Sequence, residues 1–440
     1  MPSRRKTLVL VLTLAGCTDK SDLEDDWLPD LPTAACGTQS WDWVPPATLG
    51  EVVDWERVDE WSLDKGTIAG LMSLAGFSGL VEPQYDVQTW RIRYTTQDRG
   101  EVVEATAILS MPAAAIDAPM LAYFHPTTGF DDHCAPSGRD VIWAGPAIVL
   151  GSLGYATIAP DFLGQVGFGG DDGMRHPYLV TEVAAVDGLD AMRAAHAFAA
   201  SGADADLVAR PGWQVGLLGV SQGSFNALRV QRYAAEYLPE AEVEAVVLGV
   251  PPASLRGAME LSLETLSVST VGFGLFLRLA NDWYGAPGVV EDTLTPEALA
   301  WVDQTIAEDC PTAAIPAFAT SVEAVWTPDF IAEGGVAEPW GCMLDENDLA
   351  ASPPAPGPPV LYVTAADDTV AWPALQHAEV DALCAEGYAV EHVACAETDH
   401  HGIADEGLPL MTGWLLDRMR GVPWTAPDCA VSAPVDCSEG

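Results

Sequence analysis

Short apolar runs that alternate with helical patterns constrain this chain more than any other feature. The runs 120–124, 156–159, 214–220, 245–250 and 360–364 are largely apolar throughout, without the every-second-residue polarity of a strand facing water. Strands of that kind are covered on both faces, which is the condition of a parallel sheet. Helical spacing fills 141–153, 180–200 and 224–237. A strand–helix–strand rhythm requires right-handed crossovers that lay helices on both faces of one sheet. Upstream, extended stretches at 85–96 and 101–111 flank the turn signal Asp98-Arg99-Gly100 and read as a hairpin. The expected fold class is α/β, a mostly parallel doubly wound sheet with an N-terminal antiparallel hairpin.

The rhythm breaks between 252 and 359. This stretch opens with Leu261, Leu263, Leu266, Val271, Phe273, Leu275, Phe276 and Leu277. A block of about a hundred residues between two sheet strands is expected to be a helical cap over a site for apolar substrates. Residues 46–251 and 360–440 then form the two parts of one core.

Residues 1–16 read as an export signal: Arg4, Arg5 and Lys6, then an apolar run from Leu8 to Leu14. That run is too short to span a bilayer, which takes about 20 residues. Leu14-Ala15-Gly16-Cys17 resembles the lipobox of bacterial lipoproteins. The resemblance implies lipidation of Cys17 and attachment to a membrane through an N-terminal lipid anchor. Thr18 stands where an inner-membrane retention signal places Asp, which points to the outer membrane or cell surface. Residues 17–45, with Pro29, Pro32 and Pro45, are expected to be a tether.

Eight cysteines remain beside Cys17, an even number suited to disulfides in an oxidising compartment. Proximity favours Cys384–Cys395, Cys429–Cys437 and Cys310–Cys342, which leaves Cys36 with Cys134. Neither a C-x-x-C pair nor H-E-x-x-H occurs, so no metal site is expected. With 64 acidic against 19 basic side chains, the formal charge is −45. Such a surface repels phosphate backbones and excludes nucleic acid as a partner.

Gly219-Val220-Ser221-Gln222-Gly223 is G-x-S-x-G at the junction of an apolar run and a helical pattern. A sharp strand-to-helix turn presents a serine hydroxyl at the carboxyl end of a sheet, and the flanking glycines permit the close approach this requires. A serine hydroxyl needs a base, and the base needs a carboxylate to orient it. Asp367 and Asp368 leave the end of the strand 360–364. His400 and His401 follow the strand 389–394, with His400 the favoured base. His125 follows the strand 120–124, in the loop that supplies an oxyanion donor. His176 lies in a loop, and His196 and His377 sit in helical patterns as surface or boundary residues.

Together these segments resemble the α/β-hydrolases, and among them the secretory lipase/esterase group. The resemblance rests on an ordered series. It runs from His125-Pro126-Thr127-Thr128-Gly129 through Cys134-Ala135-Pro136-Ser137, Pro160-Asp161-Phe162-Leu163-Gly164 and His176-Pro177-Tyr178-Leu179 to the serine turn. It implies an α/β-hydrolase fold and a serine hydrolase of carboxylic esters, acting on a small-molecule ester through an acyl-enzyme without a cofactor. The group's acid pattern, G-x-x-D-x-x-V-P, falls on Thr364, Asp367, Val370 and Ala371, so Asp367 is the expected acid and Asp368 the alternative. Pro126 replaces a glycine of the group and has no N–H to donate. The oxyanion donors implied are therefore the backbone N–H groups of Thr127 and Gln222. A peptidase, a polysaccharide esterase or an inactive binding lipoprotein are the competing expectations.

Overall fold

The computed structural model describes residues 27–437, apart from 78, 171–172, 287, 309, 311–313, 352–356 and 426–428. The export signal, Cys17 and the start of the tether lie outside the described residues. The strands are β1 (Val52–Arg57), β2 (Val87–Asp98), β3 (Glu101–Pro112), β4 (Asp117–Phe124), β5 (Ala156–Pro160), β6 (Arg210–Val220), β7 (Glu242–Gly249), β8 (Val360–Ala365) and β9 (Val390–Cys395). They form one sheet of order β1-β2-β3-β5-β4-β6-β7-β8-β9. Pairing is antiparallel from β1 through β3 to β5, and parallel from β5 onward to β9. The expected fold class holds, with its hairpin at β2 and β3.

Burial explains the continuous apolar runs. On β6, Val215 and Leu217 join one apolar cluster, while Leu218 and Val220 join another. Alternate side chains therefore enter opposite layers, and both layers are dry. Helices α3 (Thr181–Ser201) and α4 (Gln222–Tyr237) cover the first face. Helix α2 (Val141–Ser152), with α1 (Lys65–Leu74) beside it, and α13 (Leu408–Met419) cover the second. Strand β1 escapes notice in the sequence because its half-exposed residues carry charge, as an edge strand allows.

The segment between β7 and β8 is helical: α5 (Leu255–Ser262), α6 (Val268–Tyr284), α7 (Val290–Thr293), α8 (Pro296–Glu308), α9 (Pro328–Ala332) and α10 (Trp340–Glu346). Helices α11 (Pro373–Ala385) and α12 (Ile403–Glu406) follow β8 and β9. Val271, Phe276 and Leu277 of the insertion belong to the same apolar cluster as α3 and α4. The insertion thus packs onto the main core rather than around a core of its own.

Two expectations are corrected. The segment 31–45 does not lead away as a tether, because Leu31, Cys36 and Trp43 are buried. Glu182 of α3 accepts the Ala34 N–H and the Trp41 indole N–H, each at 2.8 Å. Glu346 of α10 accepts from Ala35 and Cys36 at 2.8 and 3.1 Å, so the segment bridges core and insertion.

The disulfides are Cys36–Cys342, Cys134–Cys310, Cys384–Cys429 and Cys395–Cys437, so neither the three pairs favoured by proximity nor the remaining Cys36–Cys134 pair forms. The cause is tertiary. The C-terminal segment runs along β9, where Val435 bonds to Ala394 and Ala396. That places Cys429 and Cys437 each against a core cysteine instead of against one another.

Candidate active site

Ser221 caps the amino end of α4 with φ +53° and ψ −120°, a conformation that costs a non-glycine residue energy. The turn is this tight because the chain has no room. A Cβ on Gly219 would overlap the Gly223 carbonyl, and one on Gly223 would overlap the Phe124 carbonyl of β4. Glycine is the residue that permits both approaches. The turn is also anchored: the Ser221 N–H donates to the Gly249 carbonyl of β7 at 2.8 Å. The Ser224 hydroxyl lies 2.8 Å from the carbonyl oxygens of both Gly219 and Gly249 and shares its one proton between them.

His400 lies in the loop after β9, and its Nε2 is 2.9 Å from the Ser221 Oγ. Its Nδ1 is 2.8 Å from Oδ2 of Asp368, not of Asp367. The choice of Asp367 is therefore corrected, for a reason set by the turn after β8. The Asp367 N–H donates to the Thr398 carbonyl, and its side chain is exposed. Asp368, one residue on, points inward and is 3 % exposed. Its Oδ1 accepts the N–H groups of Val370 and Ala371, each at 2.8 Å, leaving Oδ2 for the imidazole. A buried carboxylate with both oxygens engaged is held in one orientation.

His401 is exposed, its ring edge-on to that of His400. Asp399 ties this loop by accepting from the backbone of His401 and Gly402 at 3.0 and 2.9 Å. The Gly402 hydrogen bond in particular holds its carboxyl below the usual range.

Gln222 is the first residue of α4, where backbone N–H groups have no intrahelical acceptor. Pro126 and Thr127 lie on the wall of a cavity of about 570 Å³ that Ser221 and His400 also line. The pairing of β4 with β6, Phe124 opposite Gly219, brings these two loops together. Most of the remaining wall comes from the insertion, including Val271, Phe273, Phe276 and Trp301. Thr127 also meets Tyr178 through its hydroxyl, at 3.1 Å.

Of the other histidines, His196 stacks on Trp213 and His377 packs against His392, both away from the cavity wall. His125 and His176 are buried beside the serine turn, which position in the sequence does not reveal for His176. Two groups of potential metal ligands occur among the described residues, and the sulfurs of both are already joined in disulfides.

A profile of the secretory lipase family matches residues 147–426, which include Ser221, Asp368 and His400. No curated protein is similar to the chain in sequence. Among solved structures, it is similar to the rice cell wall degrading esterase LipA from Xanthomonas oryzae. The identity is 19%, with a TM-score of 0.70, over 84% of this chain and 99% of that one. It is also similar to lipase A of Candida antarctica in its closed state, at 17% identity and TM-score 0.66, over 89% and 88% of the two chains. A putative hydrolase from Legionella pneumophila matches at 18% identity and TM-score 0.70, over 84% of this chain and 98% of that one. The fold is that of the α/β-hydrolases.

Proposed function

From the premise that this chain belongs to the secretory lipase family, we propose that it hydrolyses carboxylic esters through an acyl-enzyme on Ser221, with His400 as base and Asp368 as its orienting acid. The observation that carries the reading is the single imidazole hydrogen-bonded to both Ser221 and Asp368.

Carboxylate acceptance fixes the His400 proton on Nδ1 and leaves Nε2 to take the Ser221 proton. The Oγ adds to the ester carbonyl, and the N–H groups of Gln222 and Thr127 bind the oxyanion. Asp368 stabilises the imidazolium that forms. When the tetrahedral adduct collapses, the C–O bond to the alcohol breaks and the departing alkoxide takes the proton from Nε2. Water then adds to the acyl-enzyme with His400 as base, and the carboxylic acid leaves as Ser221 regains its proton.

The insertion acts as a cap, and its apolar wall suits an acyl or aromatic group. The cavity volume falls in the range of about 300–1,000 Å³ typical of small-molecule sites. Four disulfides fit an exported protein. Attachment to the outer membrane through lipidated Cys17 belongs to the same proposal, and N-terminal mass spectrometry tests it. Among the described residues, no helix is long and apolar enough to cross a membrane.

The decisive experiment labels the purified protein with a fluorophosphonate and maps the adduct. Modification of Ser221, with loss of p-nitrophenyl butyrate hydrolysis in Ser221→Ala, supports the esterase. An unlabelled protein with no turnover points to a binding role. Cleavage of a peptide in preference to every ester tested points to a peptidase.

A further inference from the structure

Each of the two backbone donors assigned to the oxyanion is braced by a buried imidazole. His125 is 4 % exposed and its Nδ1 is 2.7 Å from the Pro126 carbonyl oxygen. A carbonyl only accepts, so Nδ1 carries the proton. The Pro126–Thr127 peptide is trans. The Thr127 N–H therefore lies on the opposite edge of the plane from the carbonyl that His125 holds. Pro126 and Thr127 both line the cavity, so an N–H opposite a carbonyl held by the buried ring is available to it.

The second brace uses the other chemistry of the ring. His176, 3 % exposed, donates from Nδ1 to the Leu163 carbonyl at 2.8 Å, so the neutral ring offers Nε2 as an acceptor. The Gln222 side-chain amide donates to that nitrogen at 2.6 Å. The residue whose backbone faces the oxyanion is thereby held at both its helix position and its side-chain end. Burial lowers the pKa of each histidine to about 4, so both rings keep these tautomers at neutral pH. Phe162 joins the two. It sits at φ +70° and stacks on His125 at 4.0 Å and on His176 at 5.9 Å, with ring planes within 23° of parallel.

We propose that His125 and His176 are positioning residues for the oxyanion hole, His125 aiming the Thr127 N–H through the Pro126 carbonyl and His176 fixing Gln222 through its side chain. The proposal rests on the esterase reading above. It also accounts for Pro126: this position serves through its carbonyl, which proline retains.

The test separates hydrogen bonding from packing. His125→Phe and His176→Phe keep a flat ring on Phe162 but cannot donate to Pro126 or accept from Gln222. His125→Asn and His176→Gln restore the donor and the acceptor. Losing an oxyanion donor outright costs about 10²–10³ in kcat, so misaiming one is expected to cost roughly 10–100-fold. The phenylalanine variants should show that fall in kcat for p-nitrophenyl butyrate, with KM within about threefold. Their affinity for a trifluoromethyl ketone, which forms the tetrahedral adduct, should fall by the same factor as kcat/KM. The asparagine and glutamine variants should recover most of both.

Phenylalanine variants within twofold of the parent in kcat overturn the proposal, as do polar variants no better than the phenylalanine ones. Should the phenylalanine variants fail to fold, Gln222→Met decides: it removes the partner of His176 but keeps the backbone N–H, and an unchanged kcat overturns the brace. These outcomes are read in a protein whose turnover depends on Ser221. A parent with no such turnover defeats the esterase reading itself.

Discussion

Oδ2 of Asp368 meets the Nδ1–H of His400 at 2.8 Å, while Asp367, one residue earlier, faces solvent. Asp368→Asn should leave the fold intact and lower kcat for p-nitrophenyl butyrate by about 10³–10⁴, since the amide favours the wrong tautomer of the base. Asp367→Asn should stay within twofold of the parent. Equal losses in the two variants, or the reverse order, would remove Asp368 from the mechanism.

Ser221 holds a positive φ for the sake of its hydroxyl, and that strain is measurable. Ser221→Ala and Ser221→Gly both lose activity, but only the glycine variant sheds the Cβ that makes φ +53° costly. Strain of this kind is worth about 1–3 kcal/mol, partly offset by the entropy glycine adds to the unfolded chain. In a chain this long that gain moves the midpoint by only about 1–2 °C, so Ser221→Gly should melt about that far above Ser221→Ala in differential scanning fluorimetry. A lower melting temperature argues against strain at the turn.

Cys134 follows the loop that carries Thr127, and its disulfide to Cys310 ties that loop to the insertion across 176 residues. A cross-link closing so long a loop contributes roughly 2–4 kcal/mol. The double variant Cys134→Ser/Cys310→Ser should lose that much unfolding free energy, read as a lower denaturant midpoint, and lose turnover as the Thr127 loop loosens. Unaltered denaturant midpoints would show that the insertion needs no such tie.

Asp187 of α3 is fully buried and accepts the Tyr94 hydroxyl at 2.7 Å. Burial raises its pKa to about 7, against a lowering by the Tyr94 hydrogen bond. An acid raised in the folded state binds its proton more tightly folded than unfolded. Its contribution to stability therefore falls as pH climbs from about 4 to about 7 and is level above. Asp187→Asn keeps an oxygen for Tyr94 but cannot ionise. The melting temperature of the variant minus that of the parent should grow across this window and then plateau, while other titrating groups cancel in the difference. A gap independent of pH would place the ionisation elsewhere.

Trp301, half-buried on the insertion, lines the cavity at a place where a polar group can be solvated. If an acyl chain lies against it, Trp301→Gln should raise KM for a p-nitrophenyl hexanoate about tenfold and leave the acetate within threefold. Burying about two methylenes against an apolar wall, at about 0.8 kcal/mol each, is worth roughly a tenfold change. Identical changes for both esters would place the acyl group elsewhere.

What was legible in the sequence was what local chemistry controls. The apolar runs that became β4 to β8 and the G-x-S-x-G turn follow from strand burial and backbone geometry, which neighbouring residues determine. The loop that carries His400 was legible for the same reason, at the end of a clear strand. The pairings of cysteines were not, because Cys429 and Cys437 are placed by a C-terminal segment running along β9, which no spacing encodes. Residues 31–45 looked like a tether by their prolines, yet Glu182 and Glu346, far along the chain, supply the acceptors that dock them.

Periodicity and glycine placement are properties of consecutive residues, so a doubly wound sheet and a sharp serine turn at one of its crests can be read from the chain alone. The choice between Asp367 and Asp368 rests instead on long-range packing. Adjacent residues on a turn point to opposite sides, and which side holds the imidazole depends on how β8 and β9 pair and where the loop from β9 returns. The same holds for His125 and His176. Their roles are set by Phe162 and Gln222, which reach them from separate crossovers, and contact between distant segments leaves no periodic trace in the chain.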